Sequence, residues 1–245
     1  MKTRKLAYSV SEREHWISAA GGLLGILAVL WVSHLWLGSH GGVLAVASMG
    51  ASAVLLFAAP HGALSQPWPV FGGHLVSAAI GVFCARWLAA DPVLAASLAV
   101  ALSIAVMYGL RCLHPPGGAT ALYAVMGGDA VHSLGYSYIW SPVLLNVVII
   151  LAVAVAFNYP FAWRRYPQSW HRAAAETAKR ADPLHAAEEK AMIPHSDLVY
   201  ALSQIDTFVD ISEEDLQHIY ALALKHAHPH PRADATAQFA TESRS

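Results

Sequence analysis

Residues 111–120 combine charged, titratable and helix-breaking side chains inside an apolar stretch, in the order Arg-Cys-Leu-His-Pro-Pro-Gly-Gly-Ala-Thr. Pro115 and Pro116 lack amide donors, and each proline disfavours helical geometry in the residue before it. The run therefore predicts that a helix stops here, with His114 and Pro115 extended, and that a new helix starts at Ala119. The first turn of the new helix would expose free N–H groups, which attract anions.

Arg111 and His114 are the side chains of this run that could do chemistry. A fixed positive charge could draw a small anion toward the amides, and a histidine can carry a proton near neutral pH. We therefore predict an anion site formed by Arg111, His114, Gly117, Gly118 and Thr120. In the alternative interpretation, Arg111 extends to the headgroups and His114 only satisfies carbonyls freed by the two prolines.

The composition places the run in a membrane. The chain has 245 residues, of which 56% are hydrophobic and 13% charged, with a net charge of −1. Between Ile17 and Trp163 the formally charged residues are Arg86, Asp91, Arg111 and Asp129. Such a sequence is too apolar for an ordinary water-soluble domain, and its near-neutral charge argues against a nucleic-acid partner.

Six apolar segments predict an all-α, polytopic membrane domain, because a bilayer crossing needs about 20 apolar residues. The predicted segments are Ile17–Leu37, Gly41–Ala59 with an interruption at residues 50–52, Val70–Leu88, Val93–Leu110, a short fifth at Ala119–Gly127 and Pro142–Phe157. Lys and Arg near the segment ends favour a cytoplasmic location for both termini. Arg86 is the one exception to this charge pattern.

An internal repeat extends the candidate site. Gly50-Ala51-Ser52 is matched by Gly118-Ala119-Thr120, and each triplet follows a long apolar segment and precedes a proline-initiated one. Two inverted three-segment halves would bring Gly50, Ala51 and Ser52 to the same anion site, as in transporters with broken helices. Equally, small residues could serve only close helix packing. His74 is the second candidate for a proton relay.

The polar parts lie at the two ends of the chain. We assign residues 1–16 to a cytoplasmic segment, 17–163 to the membrane domain, 164–195 to a linker, 196–227 to a soluble helical hairpin and 228–245 to a disordered tail. His226, His228 and His230 alternate in this tail, but no fixed geometry supports a metal site there. We predict no metal and no cofactor.

Two motifs resemble the HPP family of integral membrane proteins. They are Leu110 to Ala119, which contains His114-Pro115-Pro116-Gly117-Gly118, and Gly50 to Phe57 followed by Gln66-Pro67-Trp68. The resemblance implies a helical transporter, and some plastid and cyanobacterial members are associated with nitrite. It also implies that residues 197–227 are similar to the connector before a paired nucleotide-sensing module, and this chain ends where that module would begin.

The leading hypothesis is a multi-pass transporter of a small, nitrite-like inorganic anion in a bacterial inner membrane, with proton coupling as an option. Its partners would be the lipid bilayer and a second copy of the chain in a homodimer. The alternative is a membrane-anchored sensor that signals through its C-terminal hairpin. An intramembrane enzyme using His114 is a third reading. We predict that the chain is not an enzyme, because the sequence places no second catalytic group beside His114.

Overall fold

The computed structural model describes residues 12–41 and 46–170, together with Leu216, Ile219 and Tyr220. The chain divides into two units, Met1–Glu176 and Thr177–Ser245, and only the last three described residues belong to the second. Most of the predicted linker, the hairpin and the tail therefore lie outside the described residues, as does the segment before Glu12.

Within the described ranges every regular element is helical, which confirms the all-α class. The helices in chain order are α1 (Glu12–Gly41), α2 (Val46–Ala58), α3 (Pro67–Trp87), α4 (Pro92–Gly109), α5 (Pro115–Met126), α6 (Asp129–His132) and α7 (Leu145–Asn158). Short 3-10 turns at Ala63–Ser65 and Ala162–Arg164 and a π-helical turn at Ile139–Leu144 complete the fold.

Four helical segments are long and apolar enough to cross a bilayer: Glu12–Trp36 of α1, α3, α4, and Ile139–Asn158, which joins the π-helical turn to α7. α2 and α5 have only 13 and 12 residues. At about 1.5 Å per residue each covers less than 20 Å, whereas the hydrocarbon core is about 30 Å thick. The chain is thus a multi-pass membrane protein with two short helices among longer ones.

Two predicted helix breaks differ from the structure. α2 runs without interruption through Gly50, Ala51 and Ser52, so the expected break there is wrong. α5 begins at Pro115 rather than Ala119, so Pro115 is helical and not extended, whereas His114 is extended as predicted. Prolines are tolerated at the first helical positions because no intrahelical N–H is needed there.

The helices pack in two groups. α3 lies along α4 and α5, and α1 lies along α2 and α7. The contact between α3 and α5 is close because each helix has a glycine where the two helices touch. A Cβ added at Gly81 would lie 2.6 Å from the Ala121 carbonyl oxygen, and one at Gly117 would lie 2.8 Å from the Gly73 carbonyl oxygen. This interface positions the polar side chains described below.

A buried arginine closes one end of the bundle. Arg164 is 1% exposed, and its guanidinium pairs with Glu14 at 2.9 Å near the start of α1. It also donates to the Phe57 carbonyl, while Asn158 Nδ2 donates to the Leu56 carbonyl at 3.1 Å. These groups satisfy carbonyls in the last turn of α2, which have no partner within the helix. We call this the Arg164 end.

Replacing Arg164 with alanine is expected to destabilise the folded protein by about 3 kcal/mol, because a buried acceptor loses its donor. Thermal unfolding of the purified protein in detergent measures the effect. Arg165→Ala is the matched control, since Arg165 is exposed and its guanidinium lies 5.9 Å from the centre of the Tyr159 ring. Equal unfolding midpoints for the two variants would contradict this role of Arg164.

Candidate functional site

Ser52, in the middle of α2, is the centre of a buried polar cluster. Its hydroxyl oxygen lies 2.8 Å from His74 Nε2 on α3 and 2.9 Å from His114 Nε2 at the start of α5. The two imidazole rings meet edge to face, with their centres 4.9 Å apart. Three residues that are distant in sequence thus share one hydroxyl group.

Two further links extend the cluster at its ends. His114 Nδ1 lies 2.9 Å from the Leu64 carbonyl oxygen, and His74 Nδ1 lies 2.7 Å from Thr120 Oγ1. Ser52, His74 and His114 are 0% exposed, and Thr120 is 1% exposed. We call the four side chains and the Leu64 carbonyl the histidine network.

Hydrogen positions in the network follow from what each atom can accept. The Leu64 carbonyl only accepts, so Nδ1 of neutral His114 must carry its proton and Nε2 must accept from Ser52. The Ser52 oxygen in turn accepts from His74 Nε2, and His74 Nδ1 accepts from Thr120. With both histidines neutral, every donor in the histidine network therefore faces an acceptor.

The network also has partners for one additional proton. If His114 Nε2 is protonated, it donates to Ser52, whose hydrogen can turn to the Ser48 carbonyl at 3.1 Å. If His74 Nδ1 is protonated, it donates to Thr120, whose hydroxyl lies 3.4 Å from the Pro116 carbonyl. Each histidine can therefore become charged without leaving a hydrogen buried and unpaired, which would be costly.

Local sequence explains how His114 reaches this position. Pro115 disfavours helical geometry in the preceding residue, and His114 is accordingly extended, with φ −142° and ψ 102°. Gly73 leaves the space that its side chain needs, because a Cβ added there would lie 2.6 Å from the His114 Cβ. The chain break and the α3 glycine together place the imidazole between α2 and α3.

The loop motif Gln66-Pro67-Trp68 holds the Leu64 region in place. Gln66 Nε2 donates to the Pro60 and Gly62 carbonyls at 3.1 Å each, and Pro67 is the first residue of α3. Trp68 Nε1 donates to the Leu110 carbonyl at 3.1 Å, which ties the start of α3 to the end of α4. The motif is structural, and it fixes the carbonyl that His114 contacts.

Hydrogen bonds from residues that follow α7 also hold this loop. The Tyr166 hydroxyl donates to the Ser65 carbonyl at 2.8 Å, and the Gln168 amide donates to Gln66 Oε1 at 3.1 Å. Burial raises the pKa of the Tyr166 hydroxyl, so this group stays a donor at physiological pH. Ser65 Oγ donates to the Ala59 carbonyl at 2.7 Å. The loop is thus held on several sides.

Arg111 does not join the histidine network. It is exposed, it adopts a positive φ of 53°, and within the described residues its side chain has no polar contact. Its backbone amide donates to the Tyr108 carbonyl at 3.1 Å and so ends α4. The exposed position agrees with the alternative interpretation of a side chain that extends to the headgroups. Substrate binding by Arg111 stays a prediction.

The expectation of free amides at the start of α5 is wrong. Pro115 and Pro116 occupy its first two positions and have no N–H, and the Gly117 N–H donates to the His114 carbonyl at 2.8 Å. The same two prolines that stop the preceding helix thus remove the donors that a bound anion would need. Anion binding at this helix end would have to rely on side chains.

The remaining predicted residues are spread over different environments. Gly50 is half-buried and Ala51 exposed, and a Cβ added at Gly50 would meet nothing within 4 Å. A Cβ added at Gly118 would likewise meet only Val100, at 3.9 Å, which is an ordinary contact. Neither glycine is required for a close approach, and neither contacts the network. Their predicted role in substrate binding stays a prediction.

Sequence reasoning did not single out two participants. The Leu64 carbonyl carries no side-chain signal, and only the fold brings it beside His114. The Tyr138 hydroxyl donates to the Thr120 carbonyl at 3.3 Å, and this side chain is 0% exposed. A tyrosine just before an apolar segment would ordinarily be assigned to the membrane interface. Among the described residues no group of three metal-ligating side chains occurs.

A profile of the HPP transmembrane region matches residues 7–167. The chain belongs to the HPP family. This confirms the resemblance carried by the Gly50 and His114 motifs, and the histidine network lies wholly within the HPP region, since Ser52 and Thr120 are its outermost side chains along the sequence. No solved structure matches the chain.

Two transmembrane proteins of Dictyostelium discoideum are similar to this HPP protein. One is 35% identical over 158 residues, which cover 63% of this chain and 50% of the relative. The other is 39% identical over 128 residues, which cover 51% of this chain and 45% of the relative. The chain thus spans about half the length of the curated relatives it matches. Their names describe them only as transmembrane proteins.

Proposed function

We propose that this HPP protein transports a small, nitrite-like inorganic anion together with a proton, with the histidine network as the group that carries the proton. The observation that supports this is the unbroken hydrogen-bond chain from Leu64 through His114, Ser52 and His74 to Thr120. The chain lies inside a membrane domain and has acceptors ready for one additional hydrogen.

The charge balance of the site favours co-transport over passage of the anion alone. Among the described residues no charged side chain contacts the network, and a lone ion in a low-dielectric interior costs several kcal/mol even after relaxation. Moving one elementary charge against a membrane potential costs about 2.3 kcal/mol per 100 mV. An anion that travels with a proton on His74 or His114 avoids both costs.

A protonated network would also recognise the anion. In the protonated network the Ser52 and Thr120 hydroxyls donate to the Ser48 and Pro116 carbonyls, and a bound anion would replace one of these carbonyls as the acceptor. Hydrogen bonds with one charged partner are about twice as strong as neutral ones. Nitrite enters as the example only because the family resemblance implies it. Arg111, exposed where α4 ends, would attract anions to the entrance.

We also propose six crossings in two inverted halves. α3 packs on α4 and α5, and α7 packs on α1 and α2, so the third helix of each half lies against the other half. Ser52 and Thr120, at matching positions of the repeat, are two members of one network. Arg111, Arg164 and Arg165 lie at one end of the bundle, which favours cytoplasmic termini. A bacterial inner membrane remains our proposal for the location. A homodimer in the bilayer remains our proposal for the assembly.

We propose transport rather than catalysis, although the structure gives His114 a hydroxyl neighbour that the sequence did not reveal. A serine nucleophile needs an open side for its substrate and donors for the developing oxyanion. The Ser52 oxygen already lies near His74, His114 and the Ser48 carbonyl. Pro115 and Pro116 remove the nearest backbone donors. The arrangement suits proton storage better than nucleophilic attack.

Proteoliposomes that enclose a pH-sensitive dye test this function. We expect external nitrite or nitrate to acidify the interior when the outside is more acidic, at a rate that does not change when valinomycin and potassium impose a membrane potential. Nitrate is included because nitric acid is almost wholly ionised, so hardly any neutral acid is present to cross the lipid unaided. Protein-free liposomes and the Ser52→Ala variant serve as controls. Anion entry that follows the potential and moves no protons would overturn the proposal.

A further inference from the structure

Arg86 is the positive charge that the proposed topology does not explain. It lies in the last turn of α3, a helix of 21 residues that starts at the Arg164 end. At about 1.5 Å per residue, Arg86 is therefore roughly 30 Å away, at the opposite end of the bundle. Cationic side chains are depleted at the non-cytoplasmic end of membrane helices, so an arginine kept there calls for a function.

A cavity of about 220 Å³ lies beside Arg86. Its walls are formed by apolar side chains that include Val82 of α3, Ala124 of α5 and Val131 of α6, and its polar side chains are Arg86 and His132. Arg86 and His132 are both exposed, so an entering anion would reach Arg86 from the solvent side and meet the apolar wall behind it. The cavity admits a solute of a few heavy atoms.

The Arg86 guanidinium is held without a carboxylate partner in the described part of the chain. Its central carbon lies 5.5 Å from the centre of the Tyr136 ring, a cation–π arrangement. A Cβ added at Gly135, where φ is +50°, would lie 3.3 Å from an Arg86 nitrogen. This glycine lets the turn follow the guanidinium closely, so the group is oriented while its N–H donors stay available.

The other charged and titratable groups at this end do not neutralise Arg86. His132 Nε2 lies 2.8 Å from the Val125 carbonyl and donates to it, so Nδ1 of the neutral ring is an acceptor. Asp91 accepts from the Leu94 amide at 3.0 Å and caps α4. Asp129 is exposed and does not line the cavity.

We propose that this cavity binds a small oxyanion through the Arg86 guanidinium. The planar guanidinium matches two oxygens of one anion, a geometry that a lone ammonium does not offer. Nitrite or formate in solution and the phosphate of a lipid headgroup share this chemistry. The inference rests on the proposed function in one respect: a free anion bound here would be positioned to enter the α3–α5 interface.

The path inward from the cavity is short. Ala124 lines the cavity, and Thr120 of the histidine network lies one helical turn before it on α5. The Tyr138 hydroxyl lies beside this turn of α5, since it donates to the Thr120 carbonyl. A solute held by Arg86 would thus need to pass Tyr138 and the close Gly81 contact to reach the network. The cavity is a loading site at the non-cytoplasmic end.

Isothermal titration of the full-length chain in nanodiscs of zwitterionic lipid tests the cavity, with sodium nitrite and sodium formate as probes. We expect Arg86→Gln to weaken binding by about tenfold or more, because a charge-assisted contact is lost. Arg165→Gln is the matched control, since Arg165 also lies over a tyrosine ring but at the Arg164 end. Equal affinity of the wild type and Arg86→Gln, or an equal loss in both variants, would overturn the proposal.

A second arm separates the two sources of oxyanion. Adding phosphatidylglycerol to the nanodiscs lowers nitrite affinity through surface charge alone, and Arg165→Gln measures the size of this effect. If the natural occupant is free in solution, the wild type loses no more affinity than that. If a headgroup occupies the cavity, the anionic lipid competes and the difference between wild type and Arg86→Gln disappears. Binding without uptake in proteoliposomes would reject the proposed transport and leave this site intact.

Discussion

Replacing His114 with alanine is expected to lower proton-coupled anion uptake by about 100-fold or more, the usual scale for losing a positioned acid–base group. The substitution removes the link to the Leu64 carbonyl and the acceptor for the Ser52 hydroxyl at once. The initial rate of interior acidification in proteoliposomes measures it. His74→Ala should have a similar effect, because it opens the same chain at its next member.

Two further variants separate proton carriage from folding. His114→Gln keeps a hydrogen-bonding side chain that does not titrate, so we expect a near-normal unfolding midpoint together with lost uptake. His34→Ala changes an exposed histidine of α1 outside the network, and its uptake should equal that of the wild type. If His114→Gln carried protons at the normal rate, the histidine network would not be the proton carrier.

Adding a single methyl group at Gly81 is expected to be the most damaging small change in the membrane domain. The Cβ of Gly81→Ala would lie 2.6 Å from the Ala121 carbonyl oxygen and 2.7 Å from the Ala124 Cβ. Backbone atoms of a packed helix cannot move aside singly, so α3 and α5 must separate. We expect a loss of about 1–3 kcal/mol in the free energy of unfolding, the usual cost of overpacking.

Gly50→Ala is the matched control for the Gly81 variant. Both glycines lie inside helices, but a Cβ at Gly50 would meet no atom within 4 Å. Alanine in an open helical position should stabilise the protein by about 0.5–1 kcal/mol. Unfolding midpoints and monodispersity in detergent provide the comparison. A stable Gly81→Ala variant would mean that the contact between α3 and α5 is looser than the structure indicates.

The histidine network shows which part of the site the sequence could predict. The repeat singled out Ser52 and Thr120, the proline pair singled out His114, and depth within an apolar segment singled out His74. All four meet in one hydrogen-bond chain. These signals worked because a polar side chain within a membrane segment needs a hydrogen-bond partner.

The predictions that differ from the structure share a different origin. The helix after the two prolines was expected to expose free N–H groups in its first turn. The prolines themselves occupy the first two positions of α5, and they have no N–H groups. Arg111 adopts a positive φ and its side chain is exposed, so the structure does not bring it to the histidine network, and its role in anion binding stays a prediction. Both outcomes depend on backbone geometry at one or two residues, which spacing in the sequence does not specify.

Composition and the lengths of the apolar runs determined that this chain is an all-helical, multi-pass membrane protein, because an uninterrupted apolar run of about 20 residues crosses lipid as a helix that pairs its own backbone groups. The order of motifs determined its family. Only the tertiary structure decided that Ser52 bridges two histidines, that Arg164 is buried and that Arg86 borders a cavity. Those facts depend on which helix faces pack together, and the close fit of Gly73, Gly81 and Gly117 sets that packing in three dimensions.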